Sequence, residues 1–217
     1  MARPVARYPP AVASDPDRPV PLSRERIVAA ARELLDDGGP EELSLRRLAG
    51  RLGVTAPALY AYVADKQDLL AAVASTGFDE LLARFDAITT TDPAARLREM
   101  ALAYVQHALD APGLFRVMFR FRPSALELPE VDNALDAATA AFASSASAVE
   151  DARAAGVIHP DRDADQAALV LWTTAHGSAS VLLLGAADGT AREVPELIGL
   201  VDEVMDVVLA GLALPPG

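Results

Sequence analysis

The stretch Ser44–Lys66, SLRRLAGRLGVTAPALYAYVADK, reads as two short helices around a tight turn, and it ends on the only lysine among the 217 residues. Leu45, Leu48, Ala49 and Leu52 fall at i, i+3, i+4 and i+7, which gives the first helix one apolar face. Ser44 stands where its hydroxyl can cap that helix, and Gly53 stands where a left-handed residue can end it without a Cβ clash. Val54 is suited to plug the core beneath the turn. Thr55 can cap a second helix, and Pro57 is tolerable only in a first turn, where backbone N–H groups lack partners. The second helix is expected to run to about Tyr62, anchored by Leu59, with Ala56, Pro57, Ala58, Tyr60, Ala61 and Tyr62 on its outer surface. This is the outline of a helix-turn-helix, a unit that presents such a surface to the major groove of DNA.

The flanking sequence supplies the rest of a small domain. Ser23 can cap a helix carrying Ile27, Ala31, Leu34 and Leu35 on one face, which ends at Gly38-Gly39-Pro40. Residues 1–21 hold six prolines and three arginines with no apolar periodicity, so a disordered tail is expected there. A minor-groove arm using Arg7 or Arg18 is the other reading of that tail. On the far side, Asp65 can cap a fourth helix whose apolar positions Leu69, Leu70, Val73, Leu81, Leu82 and Phe85 persist to about Ile88. The expected organisation is a tail at 1–21, a three-helix DNA-binding domain at 22–66, a linking helix at 66–88 and a larger helical domain at 89–217.

In that larger domain Asp92-Pro93 starts a fifth helix through Asp110, and Pro112 opens a sixth to about Phe121. A loop is expected from Pro123 to Pro129, then an alanine-rich seventh helix to about Ala155, broken by Gly156 to Pro160. Ala167 to Ala187 is 21 residues without a charge, long enough to cross a bilayer. Thr173, Thr174, His176, Ser178 and Ser180 interrupt the apolar run, so a soluble helix is expected and no membrane partner. Val194, Leu197, Ile198, Val201, Val204, Met205, Val208 and Leu212 form a broad stripe on a final helix. With alanine and leucine abundant and β-branched runs short, the fold class is all-α.

Charge divides along the same boundary. The net charge of −12 opposes DNA binding, which requires cations to neutralise phosphates. Yet residues 1–66 hold ten basic and nine acidic side chains, whereas residues 67–217 hold nine and 22. Arg24, Arg26, Arg46, Arg47, Arg51 and Lys66 are candidates for one basic side. The acidic remainder would repel DNA outside that surface. Cysteine is absent, which excludes disulfides, and the proline- and arginine-rich start lacks the apolar core of a signal peptide, so the expected compartment is the cytoplasm.

The run LAGRLGVTAPALYAYV followed by DK and LL resembles the DNA-binding domain of the TetR family of bacterial transcription repressors, over residues 22 to 75. Gly53, Leu59, Tyr60 and Lys66 occupy that family's turn glycine, Leu-Tyr pair and helix-opening lysine. Val63 and Pro57 depart from the commoner phenylalanine and glycine, as in the tetracycline repressor branch. The resemblance implies a homodimeric repressor of a palindromic double-stranded operator, released by a small, largely apolar effector and needing no cofactor. It also implies that Ser44, Arg46, Thr55, Ala56, Pro57, Ala58, Tyr60, Tyr62 and Lys66 form the DNA-contacting set, with Arg46 suited to guanine and the tyrosines and lysine to phosphates. Arg47 and Arg51 are open to a second reading, as solvated surface. The last two helices would pair with a second protomer, with Leu182, Leu197, Val201, Val204, Met205 and Val208 as candidate interface residues. Two linked heads would then meet successive major-groove faces about 34 Å apart.

Tyr104, His107, Leu114, Phe115, Met118, Phe119, Phe142, Trp172 and His176 are enough to line a mostly apolar cavity with a few polar groups. LWTTAHGSASVLLLG and PGLFRVMF resemble a tryptophan, histidine-glycine subgroup of the same family. Trp172 and His176 share a helix face, and His176 is open to two readings, a ligand contact or a buried hydrogen-bonded histidine. Other classes find less support. His176, Ser178 and Asp188 lack the elbow of a hydrolase, and His107, His159 and His176 lack any metal-site spacing. A helical sensor that binds a small molecule but not DNA is the remaining alternative.

Overall fold

The structure, a computed structural model, describes residues 21–38, 43–120, 136–187 and 194–216, the side chains at 37–38, 185–187 and 194–198 excepted. The expected tail at 1–20, the loop at 123–129, Asp188 and the Leu197 and Ile198 side chains lie outside that set. The described elements are α1 (Arg24–Gly38), α2 (Leu45–Leu52), α3 (Ala56–Leu59), α4 (Lys66–Asp86), α5 (Pro93–Asp110), α6 (Pro112–Met118), α7 (Asp136–Ala154), α8 (Ala164–Ala187) and α9 (Val194–Leu212). Among the described residues there is no strand.

Local chemistry sets the boundaries. Ser44 takes the extended cap conformation and its Oγ accepts from the Arg47 N–H at 3.2 Å. Gly53 adopts φ 69°, its N–H reaching the Gly50 carbonyl at 3.3 Å while the Val54 N–H reaches that of Ala49 at 3.0 Å. Those two bonds satisfy carbonyls that the end of α2 would otherwise leave bare, and the left-handed φ is why glycine is needed. Asp65 and Asp92 cap α4 and α5, accepting from the N–H groups of Asp68 and Ala95. Each such cap is worth about 1 kcal/mol.

Two expectations at the reading head are corrected. Thr55 sits at the start of α3 but its hydroxyl makes no capping bond. The helix itself stops at Leu59, and Tyr60–Tyr62 continue as a turn in which the Tyr62 and Val63 N–H groups both bond the Leu59 carbonyl. Leu59 is fully buried, and its truncation would cost about 2–5 kcal/mol.

Helices α1, α2 and α3 pack on Ile27, Ala31, Leu34, Leu35, Leu48 and Leu59, and α1 packs on α4. The α4 helix then continues into a bundle against α5, α6 and α7, with α8 and α9 packed on α5. The α6 helix is wedged among α1, α4 and α5. At its start, Gly113 lies against the backbone of Leu35 in α1, where any Cβ would collide with the Leu35 oxygen. At its end, Met118 is buried against Gly77 of α4. The segment after α7 turns at Gly156 (φ 77°), and Arg162 donates to the carbonyls of Gly211 and Leu214 at 2.9 Å, closing the end of α9 with a cation where the helix dipole favours one. One helix among the described residues, Ala164–Leu184, is long and apolar enough to cross a membrane. Three of its hydroxyls are turned back onto its own backbone: Thr173, Thr174 and Ser178 donate to the carbonyls four residues earlier.

Candidate functional site

Two surfaces hold the chemistry. The first is the outer side of α2, α3 and the start of α4. Ser44, Arg46, Thr55, Pro57, Tyr60, Tyr62 and Lys66 are all exposed there, with Ala56 and Ala58 half-buried. Tyr60 is 57% exposed, as an outer-surface residue should be. Arg46 and Lys66 have no ion-pair partner among the described residues, and Lys66 stands in the first turn of α4, where the helix dipole and unpaired N–H groups already favour an anion.

Other members of the expected basic side serve the scaffold instead. Arg51 donates to Glu33 on α1 at 2.7 Å. Arg24 forms a fork onto Asp68, at 2.6 and 3.1 Å, and also donates to the Tyr62 carbonyl at 2.6 Å. Asp68 in turn accepts the Ala64 N–H at 2.8 Å. This clamp ties the first turn of α1 to the α3–α4 connection. The Arg24 hydrogen bonds and the Ala64 N–H hold the Asp68 carboxyl below its ordinary range. Sequence periodicity gave no sign of it, because the partners are 44 residues apart.

The second surface is an aromatic cage between α6 and α8. His176 lies 4.1 Å from the Phe119 ring centroid and is stacked between Trp172 at 5.5 Å and Phe115 at 5.6 Å. Tyr104, buried on α5, meets Phe115 edge-on at 5.8 Å. Its hydroxyl lies 3.1 Å from His176 Nδ1, and Ser180 Oγ lies 3.4 Å from Nε2. Burial raises the Tyr104 pKa and lowers that of His176, so at neutral pH the phenol keeps its proton and the imidazole is uncharged. Tyr104 and Ser180 thus flank the two ring nitrogens, and whichever nitrogen carries the proton, one hydroxyl donates to the ring and the other accepts from it. Phe115, Arg116, Phe119, His176, Ser180, Leu183 and Leu184 line an open pocket of about 380 Å³ over this cage. A tighter apolar cavity behind it is lined by Tyr104, Trp172, Ser145, Met100 and Met205, among others.

The structure therefore gathers Tyr104, Phe115, Phe119, Trp172 and His176 and leaves four expected cavity residues elsewhere, Leu114 among them, buried against Gly77 of α4. His107 is 1% exposed and faces Arg84, Glu80, Arg32 and Asp110, with its Nε2 unpartnered. It lies only three positions from Tyr104, but the helix turns it toward α4 and α1. Met118 packs on Gly77, and Phe142 is buried on α7 outside both pockets. Arg116, Ser180, Leu183 and Leu184 were not anticipated.

The expected interface residues also sort by face. Leu182, Val201 and Met205 are buried in the protomer's own core, and Val204 and Val208 are half-buried. Outward on α8 run Val170, Thr174, Gly177, Val181 and Leu184, and on α9 Leu200, Val204, Val207 and Gly211, with Leu214 just past its end, both at alternating spacings of four and three. That spacing is the seam of packed helix pairs.

Comparison with known proteins follows the same division. A model described as bacterial regulatory proteins, tetR family, matches residues 27–73, and one described as tetracyclin repressor-like, C-terminal domain, matches residues 97–208. An uncharacterized HTH-type transcriptional regulator of Mycobacterium tuberculosis is 31% identical over 176 residues, 79% of this chain and 75% of that one. The tetracycline repressor protein class C of Escherichia coli is 53% identical over 53 residues, 24% of each chain. A TetR variant from Acinetobacter baumannii, solved in complex with minocycline, is 27% identical with a TM-score of 0.64, covering 88% of this chain and 96% of that one. The chain belongs to the TetR family of bacterial transcriptional regulators, with a DNA-binding helix-turn-helix head and a helical ligand-binding domain.

Proposed function

We propose that this regulator is a homodimeric repressor, released from a palindromic operator when a small, largely apolar effector enters the aromatic cage. The observation that carries the reading is the position of α6. Phe115 and Phe119 line the pocket, while Gly113 of the same helix touches α1 and Met118 touches α4. An effector that moves α6 thus acts on both elements that hold the reading head. Release requires only that it bind the misaligned arrangement more tightly, with a coupling of about 1–3 kcal/mol.

At the head, Arg46 is suited to the O6 and N7 of a guanine, Pro57 and Ala58 to thymine methyls, and Thr55, Tyr60, Tyr62 and Lys66 to phosphates. Few donors face outward from α3, so DNA shape carries part of the specificity. The outward seams of α8 and α9 support pairing with a second copy, a glycine at the middle of the α8 seam allowing close approach.

A duplex carrying the region upstream of the protein's own gene, followed by fluorescence anisotropy at two salt concentrations, tests this reading. Salt-sensitive binding that is lost in Arg46→Ala and weakened in Tyr60→Phe is expected. If neither that duplex nor any selected genomic fragment is retained, the chain is a sensor without an operator.

A further inference from the structure

Among the described residues, the polar side chains lining the α6–α8 pocket are one cation, a hydroxyl and an imidazole, with no carboxylate. Arg116 is exposed at the rim and has no acidic partner among the described residues. Four other arginines of the larger domain are engaged: Arg84 is paired with Asp110, Arg98 with Asp206 and Arg153 with Glu150, and Arg162 binds backbone carbonyls; Arg96, which also lacks an acidic partner among the described residues, lies away from this pocket. In a segment with 22 acidic against nine basic side chains, an arginine left without an acid beside an apolar pocket goes against the composition. Ser180 and His176, whose Oγ and Nε2 lie 3.4 Å apart, add a neutral hydroxyl–imidazole pair on the opposite wall. The remaining lining, Phe115, Phe119, Leu183 and Leu184, offers only apolar surface.

We propose that this pocket binds an apolar organic acid, its carboxylate paired with Arg116 and its hydrocarbon or ring body lying on Phe115, Phe119 and Leu183. The inference rests on the effector-site reading above and narrows it to one chemical class. A single guanidinium with a neutral hydroxyl–imidazole pair matches a monoanion, for which Arg offers a planar fork. A phosphate monoester would bring close to two negative charges to a site with one cation. An amine would meet a like charge and no acid. The pocket's volume of about 380 Å³ falls within the range of small-molecule sites, roughly 300–1,000 Å³.

Trp172 is the only tryptophan in the chain and stacks on His176, between this cage and the tighter cavity behind it, so all tryptophan emission arises there. The full-length protein is titrated with 4-phenylbutyrate and decanoate, and with the matching primary amides of both. The acids are expected to bind roughly tenfold or more tighter than their amides, the margin of a hydrogen bond to a charged group. Arg116→Gln should bring the acids down to the affinity of the amides, and Ser180→Phe should block both, with circular dichroism showing that each variant is folded. Equal binding of acid and amide, or acid binding unchanged in Arg116→Gln, overturns the assignment. If that equal binding is still blocked by Ser180→Phe, the effector site stands and only its chemistry is wrong. If neither acids nor amides move the emission, or if the response survives Ser180→Phe, the site itself falls with the proposal.

Discussion

Gly113, at the start of α6, lies so close to the Leu35 carbonyl of α1 that no side chain can enter between them. The obstructing atom is backbone and cannot swing aside. Gly113→Ala must therefore shift one helix relative to the other, at a cost of about 1–3 kcal/mol or more. The midpoint of urea unfolding is expected to fall with an unchanged slope, and operator affinity with it, because α1 carries the reading head. An unaltered midpoint would mean that the two helices are not in this contact in solution.

The clamp between Arg24 and Asp68 gives a pH dependence of defined sign. Its hydrogen bonds lower the folded-state pKa of Asp68, so the stability it contributes is present above the ordinary carboxylate value, about 4, and is lost as pH falls through the lowered one. Both partners are partly exposed, with side-chain accessibilities of 42% and 32%, so screening limits the effect. Asp68→Asn is expected to cost about 1 kcal/mol at pH 7. Urea unfolding of the two proteins should show that difference shrinking below about pH 4.

His107 acts on a different window. Burial first, then the Arg84 charge, lower its pKa from 6.5 to about 4, with Glu80 opposing. The unfolded chain therefore takes up a proton before the folded one does, and the native state loses stability as pH falls from 6.5 toward about 4. His107→Leu removes both that titration and the unpartnered Nε2. The melting temperature of the wild type should therefore fall increasingly below that of the variant as pH is lowered across that range. His176 shifts in the same direction in both proteins, so the comparison isolates His107.

Val181 and Val207 are 64% and 73% exposed on the outward seams of α8 and α9. Val181→Glu combined with Val207→Glu would place charges in a buried pair interface while leaving the protomer core untouched. Light scattering after gel filtration should show a monomer with native helix content. A dimer of unchanged mass would move the interface to another face.

How much of this was legible in the sequence depends on whether a signal was local. Ser44, Gly53, Asp65 and Asp92-Pro93 mark helix ends through bonds to residues three or four away, and each boundary stands where it was expected. Leu59 was readable as the anchor of α3, being the apolar residue its short helix turns inward. The α9 helix was not resolved in the same way, since it is apolar on two faces and a single broad stripe does not say which meets the core. The alternating spacing at Leu200, Val204, Val207, Gly211 and Leu214 was present but overlapped the inward set. Likewise His107 and Tyr104, three apart, were grouped by their chemistry, and only the packing of α5 against both α4 and α8 separates them. The Arg24–Asp68 clamp and the placement of Arg116 beside Ser180 and Leu183 depend on distant chain segments meeting, which no periodicity records.

Lys66, exposed at the first turn of α4, is the sole lysine of the chain. Every side-chain primary amine the protein possesses thus sits at one helix terminus beside the reading head. Acylation there would erase a positive charge at that terminus and modify no other side-chain amine. An amine-directed reagent becomes a footprint of that single position, read by the mass of one peptide with and without a duplex present.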